Sequence, residues 1–195
     1  SQWQPLVDHR FTVEATAPVE PPLLSRGFLG PLTAEYFDGP DVDNPQPNQT
    51  PPQPSFKDPV ATREERTLDY LWKGSRPPLP ELGSEYWSAR WQGSFDAPQE
   101  GEYTFALQQL DDAGKLTVDG ALAVDAWRIQ PMADHESAPI RLSRGKHAFT
   151  LEYHQGPGPG ASLRLAWKGP GFEYKPLAFE GEAEYFDDPN HLQYE

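Results

Sequence analysis

The 195-residue sequence contains no cysteine, which removes disulfide frameworks, thiolate metal sites and cysteine nucleophiles together. It has a single methionine and no apolar run near the roughly 20 residues that a spanning helix requires. No basic-then-apolar leader opens it. Membrane insertion is therefore not expected, and the chain reads either as a soluble intracellular protein or as an exported one whose signal peptide has been removed. Basic residues are scarce as well: 16 Lys and Arg against 30 Asp and Glu give a formal charge of -14. That balance repels phosphate backbones and anionic lipid, so nucleic acid is not an expected partner. HExxH, a phosphate-binding glycine loop and a nucleophile elbow are all missing, and no catalysis is expected.

What the chain does have is proline, glycine and aromatic side chains. Twenty-three Pro and 16 Gly break helices and favour turns, while ten Phe, eight Tyr and six Trp concentrate buried area in few residues. Residues 1–32 carry Pro18, Pro21, Pro22 and Pro31 and no sustained period, an extended Pro-rich arm or linker. AEYFD at 34–38 is a short strand, and the Pro-rich stretch from Pro40 to Pro59 is a long surface loop or a wrapped connector. ATREERTLDY at 61–70 is the one stretch that reads as a helical turn. From Glu85 to Phe95, Trp87, Ala89, Trp91 and Phe95 alternate with polar residues, a core strand with a bulge or close backbone approach expected at Gly93.

The organising stretch is Glu102 to Gly120. Tyr103, Phe105 and Leu107 alternate, Asp111 and Asp112 follow, and Leu116 and Val118 resume the alternation before Asp119-Gly120. This reads as strand, acidic turn, strand and a two-residue hairpin turn, in a sheet apolar on one side. Later strands are expected near Ile140 to Leu142, His147 to Tyr153 and Ala161 to Trp167, with a certain loop at Gly156-Pro157-Gly158-Pro159-Gly160. The sum is an all-β antiparallel sandwich. AEYFD recurs at 183–187, either as two strands of one sandwich that pair near its ends or as the opening of a second copy; on the second reading residues 178–195 are a C-terminal tail that starts a further repeat.

Four blocks, TAEYFDG at 33–39, TLDYLWKGSRPPLPELGSEYWSARWQGSF at 67–95, GEYTFALQQLDDAGKLTVDGALAVDAW at 101–127 and LSRGKHAFTLEYHQGPGPGASLRLAWKGPG at 142–171, together resemble the PA-fourteen domain family. The resemblance covers residues 33–177. It implies a β-sandwich module of a secreted or cell-surface protein that binds carbohydrate. In the family's adhesin branch two adjacent aspartates joined by a cis peptide hold calcium, which holds sugar hydroxyls; Asp111 and Asp112 stand in that position. Calcium takes hard oxygen ligands, so the chemistry is coherent. The loop that completes the site in those members corresponds to His154 to Ser162, which offers only backbone carbonyls and the Ser162 hydroxyl.

The candidate ligand-binding residues are thus Asp111, Asp112, Trp127, His154 and Ser162, with Asp111 and Asp112 as the metal pair. Each has a plainer reading: the acids as a turn that bonds its own backbone, Trp127 as a lid on the core rather than a sugar platform. His135, beside Asp134 and Glu136, reads as a solvated surface histidine. The leading function is glycan recognition and adhesion. The alternatives are a structural subunit of a surface assembly that uses residues 1–32 for self-association, and an accessory domain of a glycoside hydrolase.

Overall fold

The computed structural model describes residues 32–72, 77–158 and 160–177. The arm at 1–31, the tail at 178–195 and the second AEYFD lie outside the described residues. Twelve strands and no helix occupy the described part.

The first sheet runs β2 (Ala61–Glu65), β1 (Leu32–Asp38), β4 (Trp87–Ala97), β10 (Gly145–Gln155), β6 (Ala113–Val118) and β7 (Ala121–Ala126), every pairing antiparallel. The second runs β12 (Phe172–Pro176), β11 (Ala161–Gly169), β5 (Gly101–Asp111) and β8 (Ala133–Glu136), with β3 (Asp69–Trp72) on β11 and β9 (Ile140–Leu142) on β5. The expected antiparallel sandwich is what the chain forms. Trp87, Trp91, Phe95, Leu151 and Tyr153 of one sheet bury against Phe105, Leu107, Leu163 and Trp167 of the other. Trp167 stacks on Tyr103 at 5.3 Å and meets Phe95 edge-on at 5.5 Å.

Several expectations change. Residues 61–70 are not helical: Ala61–Glu65 pairs with β1 and Asp69–Trp72 with β11. Their strand character comes from neighbours distant in sequence, which local propensity does not carry. Gly93 sits in unbroken register opposite Phe149, with no bulge. Leu32, assigned to the arm, is the first residue of β1 and fully buried. β5 is buried on both faces from Tyr103 to Leu107 rather than on one. Asp119 and Gly120 do form the two-residue hairpin, both with positive φ (49° and 78°) between Val118 and Ala121.

Two polar devices hold the sandwich. Glu65 turns its carboxylate inward and accepts from Tyr36 Oη (2.7 Å), Trp91 Nε1 (2.9 Å) and the Tyr70 hydroxyl, with Arg63 at 3.4 Å. At the opposite edge His147 Nδ1 faces Asp119 Oδ2 at 2.7 Å and Nε2 faces the Ser143 carbonyl at 2.9 Å. Both ring nitrogens meet acceptors, so this imidazole is best satisfied as a cation. Burial opposes that charge, but the bonds to Asp119 and Ser143 and the charges of Asp119 and Asp96 outweigh it and raise the His147 pKa. A raised histidine stabilises fully below its unfolded value of about 6.5, and the gain is lost as pH climbs through the folded value. The melting-temperature difference between wild type and His147→Asn is therefore expected to be largest near about pH 5.5 and to shrink by about pH 8. A difference independent of pH would mean that the ring is neutral in the fold.

Candidate functional site

Asp111 ends β5 and Ala113 begins β6, and those strands belong to different sheets. The acid pair is thus the crossing between sheets rather than a hairpin turn. The Asp111-Asp112 peptide is cis, the form that the resemblance implies. The carbonyl of Asp111 accepts from the Tyr153 hydroxyl, which ties the crossing to the buried end of β10.

Three loops meet over the pair: Pro45 to Pro47, Ile129 to Pro131, and the glycine loop at Pro157, Gly158 and Gly160. With Asp111 and Asp112 they line a cleft of about 340 Å³. The Pro-rich connector is wrapped as expected, for Asn48 N donates to Ile129 O (2.7 Å) and Ile129 N to Gln49 O (2.8 Å).

Asp112 is only 4% exposed. Its Oδ1 accepts from Gln130 N (3.1 Å) and its Oδ2 from Gly156 N (2.9 Å), while its own carbonyl accepts from Gln130 Nε2 (3.0 Å). Burial, and then the neighbouring Asp111 charge, push its pKa up to about 6 against the pull of the two N–H groups. Burial raises Asp111 too. Neither carboxylate has an ion pair with Lys, Arg or His among the described residues, and the Asp111 carboxylate has no hydrogen bond there. Gly156 makes this geometry attainable: a Cβ on it would lie 2.9 Å from Asp112 Oδ2.

The other expected residues stand behind the cleft rather than in it. Trp127 is 6% exposed and donates from Nε1 to Pro51 O at 3.1 Å, so its ring is a lid under the connector and presents no face to a sugar. His154 is fully buried, with Nδ1 on Ser88 Oγ at 3.0 Å. The Ser88 hydroxyl donates to Gly39 O (2.8 Å), so Nδ1 carries the proton; burial lowers the His154 pKa to about 4. Ser162 is fully buried and donates to the Gln109 carbonyl. His154, Ser162 and Trp127 support the walls and are closed to a ligand arriving from solvent. His135 is not merely solvated, since its Nε2 meets Gln130 Oε1 at 3.1 Å. Arg128 Nε donates to the same oxygen at 2.9 Å, which orients the Gln130 amide toward Asp112. The sequence reading missed Gln130, and nothing in PMADH or its surroundings signals it.

The donor set suits a hard cation in kind: two carboxylates, one without a partner and the other with a single N–H on each oxygen. It is sparse in number, because no group of three or more His, Asp or Glu stands together among the described residues.

Residues 48–181 match the family model described as the PA14 domain. The anti-sigma-I factor RsgI3 of Acetivibrio thermocellus is 35% identical over 101 residues, which are 51% of this chain and 15% of that protein. A solved structure of an anti-sigma factor domain-containing protein from Clostridium clariflavum superposes with a TM-score of 0.62 and 26% identity, over 81% of this chain and 48% of the other. The PA14 sugar-binding domain from an RTX adhesin superposes with a TM-score of 0.56 at 19% identity, over 78% of this chain and 94% of the other. The chain therefore spans less than half of its anti-sigma relatives and nearly the whole of the adhesin domain. On the sequence match over most of its length, together with the sandwich that carries it, the chain belongs to the PA14 domain family.

Proposed function

We propose that this chain is a non-catalytic carbohydrate-recognition module that works outside the cytoplasm and takes its ligand at Asp111 and Asp112 with the help of calcium. The observation that carries the reading is the pair itself: a buried, N–H-pinned carboxylate beside one that is unpartnered among the described residues, open to a cleft and offset by no basic side chain among those residues. Two adjacent carboxylates held against desolvation and mutual repulsion favour a cation. Calcium, when bound, supplies a centre whose coordination sphere vicinal sugar hydroxyls can share. The chain's own part is to hold Asp112 through Gln130 and Gly156 and to leave Asp111 free. The sugar-binding description of the adhesin domain points the same way. Adjacent acids are poorly placed for glycosidase work, where carboxyl groups flank the sugar about 5 to 10 Å apart.

A second reading rests on the RsgI3 match: the module is the ligand-sensing part of a longer anti-sigma regulator. It changes what the binding event reports, not the site.

The test is a thermal melt in calcium and in excess chelator. A ligand specific for the folded state at a hundred times its dissociation constant adds about 2.7 kcal/mol, a shift of roughly 5 to 10 °C for a domain of this size. The shift is expected in wild type, with calcium-dependent retention on a glycan array, and is expected to vanish in Asp111→Asn. An unchanged melt in wild type would leave the pair as a structural crossing.

A further inference from the structure

Residues 183–187 repeat the sequence of 34–38, AEYFD, and Pro189 stands where Pro40 does. Residues 34–38 belong to β1, and four of those five side chains have a task in the sandwich. Ala34 is fully buried opposite Trp91. Glu35 accepts from Arg90 Nε (2.9 Å) and Nη2 (2.7 Å). Tyr36 packs on Trp91 at 6.0 Å and on Trp87 at 6.4 Å and bonds Glu65. Phe37 meets Phe56 edge-on at 5.2 Å. Ala183, Glu184, Tyr185 and Phe186 supply the same groups in the same order. Side chains alternate along a strand, so these residues in β1's place would meet Trp91, Arg90, Glu65 and Phe56 with the groups that already fit them.

The path of the chain favours that placement. Leu177 N donates to Leu165 O (3.0 Å) and Leu165 N to Leu68 O (2.9 Å), and Leu68 stands three residues after Glu65, the partner of Leu32. The described chain thus leaves the sandwich at the end where β1 enters it. From Leu177 the chain to Gly181, which corresponds to Leu32, reaches about 13 Å, more than two strand spacings. A strand that follows from there runs in β1's direction. The two copies are not equal, because Leu32 is fully buried and Gly181 has no side chain to fill that place. β1 therefore holds the slot while it is intact.

We propose that residues 183–187 are a second first strand, which enters the slot between β2 and β4 of its own chain when β1 leaves it. The module can then release β1, with the residues before it, and remain a closed sandwich. Both ends of the connector hang on β1, through Gly39 N to Tyr86 O (2.6 Å) and Val60 N to Tyr36 O (2.8 Å). The exchange accordingly also loosens the cleft wall at Pro45 to Pro47.

The experiment is a set of thermal melts on the full chain with Tyr36→Ala, Tyr185→Ala and both together. Tyr185→Ala is expected to melt within about 1 °C of wild type, since β1 holds the slot. Tyr36→Ala is expected to lose only a few degrees, roughly 3 to 5 °C, as the tail takes over, and the double variant on the order of 10 °C more. Gly181→Leu, which restores the missing side chain, should raise the melt of Tyr36→Ala but not that of the double variant. A double variant that melts with Tyr36→Ala, or a Tyr36→Ala that does not fold, overturns the exchange. So does a rescue that grows with protein concentration and elutes as a dimer, because the strand then comes from another copy.

Discussion

Replacing Glu65 with Ala is expected to cost the fold about 3 to 5 kcal/mol, since two buried donors lose their acceptor at about 1 to 3 kcal/mol each and a side-chain void is left behind. The donors are the Tyr36 hydroxyl and the Trp91 indole, one from β1 and one from β4, both at 1% exposure or less. Tyr70 is partly protected, because its single proton can turn to the Thr67 carbonyl at 2.7 Å. Such a loss would lower the melting temperature by on the order of 10 °C. Glu65→Gln separates the causes: its amide oxygen still serves one donor while its NH₂ faces the other, so about half the loss is expected. A melt of Glu65→Ala within about 2 °C of wild type would show that water serves these donors as well as the carboxylate does. The consequence reaches the cleft. Trp91 packs on Tyr70 at 5.6 Å and on Tyr153 at 6.4 Å, and Tyr153 holds the Asp111 carbonyl. Loosening the Glu65 end should therefore weaken ligand binding in Glu65→Ala even where the chain remains folded.

Much of this architecture is written in local pattern, and the site only in part. Trp87, Ala89, Trp91 and Phe95 alternate because β4 buries one face, and period-two burial is visible in any sequence that carries it. Asp119-Gly120 announces its turn because few residue pairs tolerate two positive φ angles in succession. Residues 61–70 mislead because β2 is mostly exposed and its one partly buried acid, Glu65, looks polar until Tyr36 and Trp91 are seen to meet it. Asp111 and Asp112 are legible as a motif, but their inequality is not. Asp112 is buried by Gln130, 18 residues on, and by Gly156, 44 residues on, and no local pattern encodes such closure. Trp127, His154 and Ser162 carry polar or aromatic chemistry that suits a ligand, yet each spends it on a backbone or hydroxyl partner inside the protein.

Gly156→Ala is the sharpest test of the cleft, because it changes one methyl group and should remove the calcium response entirely. The added Cβ would stand 2.9 Å from Asp112 Oδ2 and 3.4 Å from its Cγ, closer than carbon and oxygen pack. Asp112 cannot simply swing aside, since its Oδ1 is tied to Gln130 N and its carbonyl to Gln130 Nε2. Either the carboxylate or the glycine loop must shift, and the bond from Gly156 N is lost in both cases. The stability cost is expected to be about 1 to 3 kcal/mol, that of a strained buried carboxylate with one donor gone, and the roughly 2.7 kcal/mol gained from saturating calcium should disappear with it. Gly158→Ala is the control. A Cβ there meets nothing within 4 Å, but the residue has φ of +115°, so the change strains the loop without touching Asp112. It should lower the melting temperature in calcium and in chelator alike and leave the difference between them in place. If Gly156→Ala keeps that difference, the cation sits on Asp111 without Asp112, and the pinned carboxylate is part of the crossing between sheets rather than of the ligand site.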